Sequence, residues 1–229
     1  MYPIIKRIMD LALASIVLLL LLPLFIPIVL ALKFTAEGEV FYFQKRIGLN
    51  NRYFYIWKFA TMLKNSPNMG SGSITLRNDP RVTPVGKWLR ITKINELPQV
   101  INVLNGDMSI VGPRPLVDRT FNAYPDEVRD KVYRVKPGIT GIGSIVFRDE
   151  EKMISASDMD PHEFYETHIA PYKGALEMWY QQHFSFYTDT MIILLTAWAI
   201  LSPASDLHYK IFPDLPKRPA QLSSRAVNS

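Results

Sequence analysis

The chain has 229 residues, 48% of them hydrophobic, which is enough for one soluble domain and a membrane segment. Lys and Arg outnumber Asp and Glu by 26 to 21, which favours anionic partners such as a lipid surface, phosphate, nucleotide or nucleic acid, although an ordinary soluble surface would show the same excess. The absence of cysteine excludes disulfides and thiolate metal sites, and the spacing of the four histidines argues against zinc.

An uncharged apolar run, residues 11–32, is long enough to cross the hydrocarbon core of a bilayer. A cleaved signal peptide is disfavoured because no small-residue cleavage site follows the run. Pro23 and Pro27 interrupt the run, and each removes a backbone donor. Just before it, Asp10 lies three residues after Arg7, a spacing that predicts an ion pair along the first helical turns.

The residues leave two membrane arrangements open, a spanning helix and a re-entrant helix–break–helix. In the second arrangement each half, 11–22 and 24–34, is too short to cross. Lys6, Arg7 and Lys33 flank both ends of the run, and short basic flanks are typical of the cytoplasmic side. This charge pattern weakly favours the re-entrant form.

Residues 39–59 alternate aromatic and polar residues and predict a β-hairpin with its turn at 48–51. The aromatic residues belong either to the core of a small sheet or to the lipid headgroup level, because basic residues lie beside them. Residues 64–83 contain the turn signals Ser66-Pro67, Gly70-Ser71-Gly72 and Asn78-Asp79-Pro80 and predict a loop without a phosphate-binding glycine pattern.

Residues 90–115 carry the most specific chemistry of the chain. Asn95 is a favoured N-cap residue, and the adjacent Glu96 would be stabilised at a helix N-terminus. Apolar residues at helical spacing predict a helix over 97–104, and Asn105-Gly106-Asp107 ends it with residues that tolerate left-handed backbone angles.

The next turn, Val111-Gly112-Pro113-Arg114-Pro115, stiffens the backbone around one arginine. Such a turn can aim the guanidinium of Arg114 at a phosphate. Together with Arg90 and the Glu96 carboxylate, this stretch suits an anionic substrate. Alternatively, Arg114 is only a surface charge.

The remaining segments are predicted more coarsely. Residues 118–136 resemble a solvated helix, and 148–151 form an acidic cluster typical of an exposed loop. Residues 163–184 show a helical pattern, and the apolar run 190–201 predicts a core or interfacial helix because it is too short to span. The tail, 202–229, is expected to be poorly ordered.

The order of motifs along the chain resembles that of a known family. The shared motifs are Lys6-Arg7 with Asp10, Gln44, Arg46 and Gly48, Lys58-Phe59, Thr61-Met62, Asp79-Pro80-Arg81, Thr83-Pro84-Val85-Gly86, Arg90, Glu96-Leu97-Pro98-Gln99, Asn102-Val103-Leu104, Gly106-Asp107-Met108-Ser109, Val111-Gly112-Pro113-Arg114-Pro115 and Lys136-Pro137-Gly138-Ile139-Thr140-Gly141. Over roughly residues 4–200 the chain therefore resembles the bacterial sugar transferases, also called monotopic phosphoglycosyl transferases.

The resemblance implies an architecture. It implies a re-entrant membrane segment, 1–36, broken at Pro23, and a small, mostly helical α/β (α+β) cytosolic domain, 37–201. Lys6, Arg7 and Asp10 would then belong to the membrane-proximal part, and amphipathic helices would hold the domain at the lipid interface. The implied location is the cytosolic face of the bacterial inner membrane.

The resemblance also implies an activity. Family members transfer a phospho-sugar from a UDP-sugar to a polyprenyl (undecaprenyl) phosphate with Mg²⁺, release UMP, and so begin surface glycan assembly. Membrane lipid is the other implied partner; no recognition-helix motif supports nucleic-acid binding, and a homodimer is left open. On this basis the candidate site residues are Glu96 as catalyst and magnesium ligand, and Arg90, Arg114, Pro113, Arg148 and Lys58 as substrate-binding residues.

Asn95 departs from the family, because it stands where members have a nucleophilic aspartate. A neutral amide is a poor nucleophile and a weak magnesium ligand. Three interpretations stay open: Glu96 or a carboxylate from 149–151 takes over as nucleophile, the polyprenyl phosphate attacks the UDP-sugar directly, or turnover is lost. In the last case the chain is a membrane scaffold or sensor that binds nucleotide sugar or lipid phosphate.

Overall fold

A mostly helical α/β domain packs beside a long apolar N-terminal helix in the computed structural model, which describes residues 2–35, 37–66, 79–202 and 205–222. The predicted turn at Gly70-Ser71-Gly72 lies outside the described residues. The helices are α1 (Tyr2–Thr35), α2 (Pro84–Ile91), α3 (Gln99–Asn105), α4 (Asp118–Asn122), α5 (Asp126–Arg129), α6 (Ile142–Val146), α7 (Glu150–Ser155), α8 (Pro161–Phe164), α9 (Ala170–Gln182), α10 (Phe186–Leu201) and α11 (Leu207–Ile211). The strands are β1 (Phe41–Ile47), β2 (Tyr53–Phe59), β3 (Ser109–Val111) and β4 (Gly138–Thr140).

The predicted hairpin is confirmed, with β1 and β2 antiparallel. Its turn places Asn50 and Asn51 at φ 53° and 58°, in the left-handed region that asparagine adopts more readily than most residues. Since directly opposed residues share a face, Gln44, Arg46 and Lys58 lie on the same side of the hairpin. That side faces the candidate site.

The helix predicted over 97–104 is confirmed as α3, and Gly106 ends it at φ 91°. The prediction that Asn95 is the N-cap of this helix is wrong. Asn95 lies inside a separate 3-10 turn, Ile94–Glu96, which follows Lys93 in the left-handed conformation. The 3-10 turn separates α2 from α3, so the Asn95 side chain does not cap the N-terminus of α3.

The short parallel pair β3–β4 brings the Pro113-Arg114 turn back to the core. The Gly138 amide donates to the Pro113 carbonyl oxygen at 2.9 Å. A Cβ on Gly138 would lie 2.1 Å from the Gly112 nitrogen, and one on Gly141 would lie 2.2 Å from the Gly112 carbonyl oxygen. These glycines are required because two backbone segments touch here.

Replacing Gly138 with Ala should therefore destabilise the fold by about 1–3 kcal/mol, since rigid backbone surrounds the added methyl group. Chemical unfolding monitored by circular dichroism measures this loss. Gly174→Ala is the matched control: the added methyl meets the Val128 side chain at 3.3 Å, and alanine favours the helix by about 0.5–1 kcal/mol. Equal losses in the two variants would contradict the close-approach explanation.

α1 is the one helix of the described residues that is long and apolar enough to cross a membrane by length and composition. It continues through Pro23 and Pro27, whereas the family resemblance implies a break at Pro23. A helix can contain proline where packing holds the neighbouring turns. Here Phe25 contacts Phe59 edge to face at 5.2 Å between centroids, and Leu32 is fully buried.

The predicted ion pair between Arg7 and Asp10 does not form. The Arg7 guanidinium instead donates to the carbonyl oxygens of Val103 and Leu104, at 2.6 and 3.0 Å. These carbonyls lie in the last turn of α3, where a cation is favoured. Asp10 accepts the backbone N–H of Ile110 at 3.0 Å. Both side chains are therefore used to dock α1 on the domain.

Residues 118–136 form two short helices, α4 and α5, rather than the one solvated helix that the sequence predicts. Pro125 separates them, because proline cannot continue the helical hydrogen bonds of the preceding turn. The segment also buries Tyr124, Val132 and Tyr133 in the main core. Its charges occupy only the outer side.

The helical predictions for 163–184 and 190–201 are confirmed by α8, a π-helical turn (Tyr165–Ile169), α9 and α10. The C-terminal segment differs from the expectation of a poorly ordered tail over residues 205–222. There α11 forms, and Phe212 and Leu215 are buried in the main core. Residues 203–204 and 223–229 lie outside the described ranges.

Candidate active site

The centre of the candidate site is a carboxylate held by two cations. Glu96 Oε1 lies 2.5 Å from the Arg114 guanidinium and 3.3 Å from Lys58 Nζ. The three residues come from the Ile94–Glu96 turn, the turn after β3, and β2. All three are predicted site residues, and the structure brings both cations into direct contact with the carboxylate.

The electrostatics of this trio are strongly coupled. Burial alone would raise the pKa of Glu96, but Arg114 and Lys58 outweigh it and hold that pKa well below its usual range. Burial lowers the pKa of Lys58 to about 8; Glu96 opposes this shift, and Arg46 and Arg114 add to it. Glu96 is therefore ionised at neutral pH, and the site carries more positive than negative charge, as phosphate binding requires.

The arginine turn is fixed by side chains that lie around its backbone. The Tyr133 hydroxyl donates to the Arg114 carbonyl oxygen at 2.7 Å and accepts the Leu116 N–H at 2.9 Å. The Arg46 guanidinium donates to the Pro115 carbonyl oxygen at 3.0 Å. Burial, with the nearby charge of Arg114, lowers the pKa of Arg46 to about 10. Arg46 is a site residue that the sequence analysis placed only in the hairpin.

The Asn95 side chain is buried. It is 6% exposed, and its Oδ1 has no hydrogen-bond partner among the described residues. A buried acceptor without a partner costs about 1–3 kcal/mol, so this side chain is not explained by local stability. As an amide it also lacks the charge that would make it a nucleophile.

The two other predicted arginines do not pair with Glu96 among the described residues. The Arg90 guanidinium, on α2, pairs with Glu151 at 2.9 Å. Arg148 is half-buried just after α6 and has no hydrogen bond or ion pair within the part of the chain that the structure describes. Because Glu151 pairs with Arg90 and Glu150 with Lys173, the acidic cluster at 148–151 is not the free exposed loop that the sequence indicates.

A second charged group is buried on α9 and was missed from the sequence. Glu177 and Lys173, both on α9, are 1% and 3% exposed. Lys173 Nζ lies 2.5 Å from Glu150 Oε2. Their four-residue spacing is the sequence signal that could have found them, because it puts both charges on the same helix face as the apolar Leu176 and Tyr180. Paired charges on an apolar face are seldom there for solubility.

Few side chains around Glu96 could serve as ligands of a metal ion. No group of three or more Asp, Glu or His side chains that could hold an ion occurs within residues 2–35, 37–66, 79–202 and 205–222. Both cations contact Oε1 of Glu96, which leaves Oε2 for a further ligand. Mg²⁺ often binds through one or two carboxylates together with waters and substrate phosphates. The residues fit an ion of that kind, held mainly by the substrate.

Comparison with known proteins identifies the family. A family model described as "Bacterial sugar transferase" matches residues 1–203. The exopolysaccharide production protein ExoY of Rhizobium meliloti (strain 1021) is 34% identical over 209 residues, which cover 85% of this chain and 84% of that protein. UDP-N-acetylgalactosamine-undecaprenyl-phosphate N-acetylgalactosaminephosphotransferase of Aeromonas hydrophila is 38% identical over 204 residues, 88% of this chain and 44% of that protein.

Undecaprenyl-phosphate glucose phosphotransferase of Komagataeibacter xylinus is 41% identical over 157 residues, which are 63% of this chain and 30% of that protein. The chain therefore spans less than half of two of these relatives and most of ExoY. The family model and the ExoY match each cover most of the chain, and the residues around Glu96 fall within them. The chain belongs to the bacterial sugar transferase family.

Proposed function

We propose that the chain transfers a sugar 1-phosphate from a UDP-sugar to undecaprenyl phosphate, releases UMP, and starts the assembly of an exopolysaccharide or other surface glycan. The observation that carries this proposal is the Glu96 carboxylate between Lys58 and Arg114, in a domain packed on an apolar helix. Such a site can receive a charged nucleotide from water and a phosphate from lipid. The names of the Aeromonas and Komagataeibacter relatives describe transfers to undecaprenyl phosphate.

Phosphoryl transfer depends mainly on the positioning of the substrates and on neutralisation of their charge. Overall, an oxygen of the lipid phosphate becomes bonded to the β-phosphorus of the UDP-sugar, and the bond from that phosphorus to the UMP oxygen breaks. Arg114 and Lys58 hold the pyrophosphate, and Glu96 keeps the two cations in place before the substrate arrives. Mg²⁺, when bound at Glu96, supplies further charge neutralisation.

In this proposal Arg90 and Arg148 bind the phosphate groups beside those that Arg114 and Lys58 hold. Arg148 is half-buried and is not paired within the described chain, so its five N–H donors are available to an anion. Arg90 would exchange its contact with Glu151 for a phosphate oxygen. Pro113 has an indirect part, because it stiffens the backbone that presents Arg114.

The membrane arrangement is part of the proposal: both ends of α1 lie at the cytoplasmic leaflet of the bacterial inner membrane, and the helix bends at its two prolines where it dips into the lipid. Both ends of the helix contact the same domain, which supports this arrangement. Lys6 pairs with Asp189 near one end, and Leu32 packs with Phe59 and Leu89 near the other. A spanning helix would carry one end to the opposite side of the bilayer, away from the domain.

Two further surfaces support an interfacial position. On α2, Trp88 and Ile91 are exposed. On α10, one side is buried while Leu194, Trp198 and Leu201 are exposed. Tryptophan is enriched at the level of the lipid headgroups. We therefore expect both helices to lie on the membrane surface.

The scaffold or sensor remains the second candidate, because Asn95 cannot act as a carboxylate nucleophile. The variant Asn95→Asp separates the two functions. If the wild type releases UMP at a rate within about tenfold of the variant, the chain is a transferase; a rate that rises from zero in the variant favours the scaffold.

The test of the proposed function is UMP release from several UDP-sugars, with undecaprenyl phosphate and Mg²⁺. We expect release with at least one UDP-sugar, and only when lipid phosphate is present if transfer is direct. UMP release without lipid, with sugar phosphate label retained on the chain, would assign a covalent route through a carboxylate. No release from any UDP-sugar would contradict the proposed function.

A further inference from the structure

The outer face of α2 combines apolar and basic side chains that the domain leaves uncovered. Trp88 and Ile91 are 53% and 73% exposed, and Lys87 is exposed beside them. Ile91 lies four residues after Lys87 and three after Trp88, so the three side chains share one face of the helix. On the opposite face Leu89 is 1% exposed and packs in the same cluster as Leu32 of α1. One face therefore holds α2 to the domain, and the other is free.

The charges of this segment are all positive. Residues 80–95 contain no Asp or Glu and four cations, Arg81, Lys87, Arg90 and Lys93. The two arginines pair with carboxylates outside the segment, Asp79 and Glu151. The ammonium groups of Lys87 and Lys93, both exposed, have no hydrogen bond or ion pair within the described residues. Two exposed lysines therefore lie beside the exposed tryptophan without an ion-pair partner.

The end of the apolar helix α1 lies next to this face. Leu32 and Leu89 belong to one buried cluster, so the last turns of α1 run beside α2. Phe34, in the last turn, is 82% exposed. The two glutamates that follow α1 both contact Lys64. The basic face of α2 thus continues the exposed apolar surface of α1.

A surface of this composition fits the headgroup region of an anionic bilayer. Tryptophan is enriched at that level, and lysine reaches lipid phosphate while its stem stays against apolar groups. Basic residues near a membrane surface are attracted to anionic lipid. A face left in water would expose two large apolar side chains. A second copy of the chain is a less suitable partner, because two such faces would bring unpaired lysines together.

We propose that the outer face of α2 docks on anionic phospholipid, and that the seating of the domain on the leaflet depends on its content of such lipid. The inference rests on the proposed function, whose membrane arrangement it extends with a preference for headgroup charge. The other interfacial helix, α10, should lack that preference. It contains no Lys or Arg, and its charged residue, Asp189, is buried. Apolar contact alone would hold α10 on the lipid, whereas charge also holds α2.

The absence of cysteine allows one fluorophore to be placed at a chosen position of the full chain. Ile91→Cys, labelled with an apolar dye, reports whether α2 is in lipid, and Ile200→Cys reports the same for α10. Each labelled chain is placed in nanodiscs of phosphatidylcholine alone or with increasing phosphatidylglycerol. Quenching by brominated acyl chains should rise with phosphatidylglycerol for the dye at 91 and stay constant for the dye at 200. Salt at about 1 M, where the Debye length is about 3 Å, should abolish the rise.

Charge variants in the Ile91→Cys background identify the cations. Lys87→Gln and Lys93→Gln should each lower the ratio of docked to undocked α2 about fivefold in anionic discs. Lys87→Arg keeps the charge and should dock as the wild-type lysine does. Lys131→Gln is the matched control, because it removes the same charge from an exposed lysine that is already paired with Glu127. It should leave the ratio unchanged.

Equal quenching of the dye at 91 in neutral and anionic discs would overturn the proposal, as would equal effects of Lys87→Gln and Lys131→Gln. A dye at 91 that stays in water in every disc would also overturn it and would point to a protein partner. None of these readouts requires a nucleotide sugar. A chain that docks but releases no UMP contradicts only the proposed transfer. A chain that releases UMP without a charge-dependent signal at 91 contradicts only the lipid preference.

Discussion

Glu96→Gln is expected to lower UMP release by about 10³-fold, the loss typical of removing one preorganised charged group from a phosphoryl-transfer site. The physical reason is that the amide cannot hold both cations. Lys58 and Arg114 would repel each other and Arg46, and they would no longer be positioned to bind the pyrophosphate. Steady-state UMP release with undecaprenyl phosphate and Mg²⁺ measures the effect.

The control for this substitution is Glu127→Gln on α5, which breaks an exposed pair with Lys131. Solvent screens an exposed pair of this kind, so the rate should stay within about twofold of wild type. Full activity in Glu96→Gln would remove the central assignment of the site. A loss of equal size in both variants would point to a general effect of charge and not to the geometry around Glu96.

Stability gives a second check on Glu96 with a definite sign. Its pKa is lower in the folded chain than in the unfolded one, so it stabilises the fold above the usual glutamate pKa of about 4.3. That contribution is lost as pH falls below this value, because the unfolded chain then binds the proton more readily. The stability difference between wild type and Glu96→Gln should therefore shrink on acidification.

Sequence alone located the hairpin and α3, because each is encoded by neighbours in the chain. Alternating residues and an asparagine-rich turn define β1 and β2, and apolar spacing with Gly106 defines α3. Glu96, Lys58 and Arg114 were selected as site residues through the family resemblance and the rigid turn around Arg114. The contact between the three residues depends on tertiary packing. Each of them lies at or near the end of a short element.

The sequence could not supply groups that act from behind the site. Tyr133 lies 19 positions after Arg114 and reaches its backbone only because the segment after α5 packs there. The N-cap assigned to Asn95 failed for a related reason. Lys93 adopts a left-handed conformation at φ 60° and starts a 3-10 turn, an outcome that residue preferences do not predict.

Replacing Lys6 with Met is expected to destabilise the fold by about 3–5 kcal/mol, because it leaves a buried carboxylate without its cation. Lys6 Nζ contacts Asp189 at 2.5 Å, and the two residues are 8% and 2% exposed. The same Asp189 carboxylate accepts hydrogen bonds from Tyr2 and Tyr180 at 2.5 and 2.7 Å. These contacts join the start of α1 to α9 and α10.

Thermal unfolding in detergent micelles should show the loss as a fall in Tm of about 10 °C or more for a chain of this size. Adding Asp189→Leu to Lys6→Met should restore part of the stability, since one of the two buried carboxylates near Lys6 is then absent. Asp10, which lies 4.0 Å from Lys6 Nζ, loses that cation in both variants but keeps its hydrogen bond from Ile110. Lys33→Met, at the exposed far end of the same helix, should change Tm by little. If Lys6→Met and Lys33→Met melt alike, the start of α1 does not hold the membrane helix to the domain. Nothing would then hold the start of the helix on the same side of the bilayer as the domain.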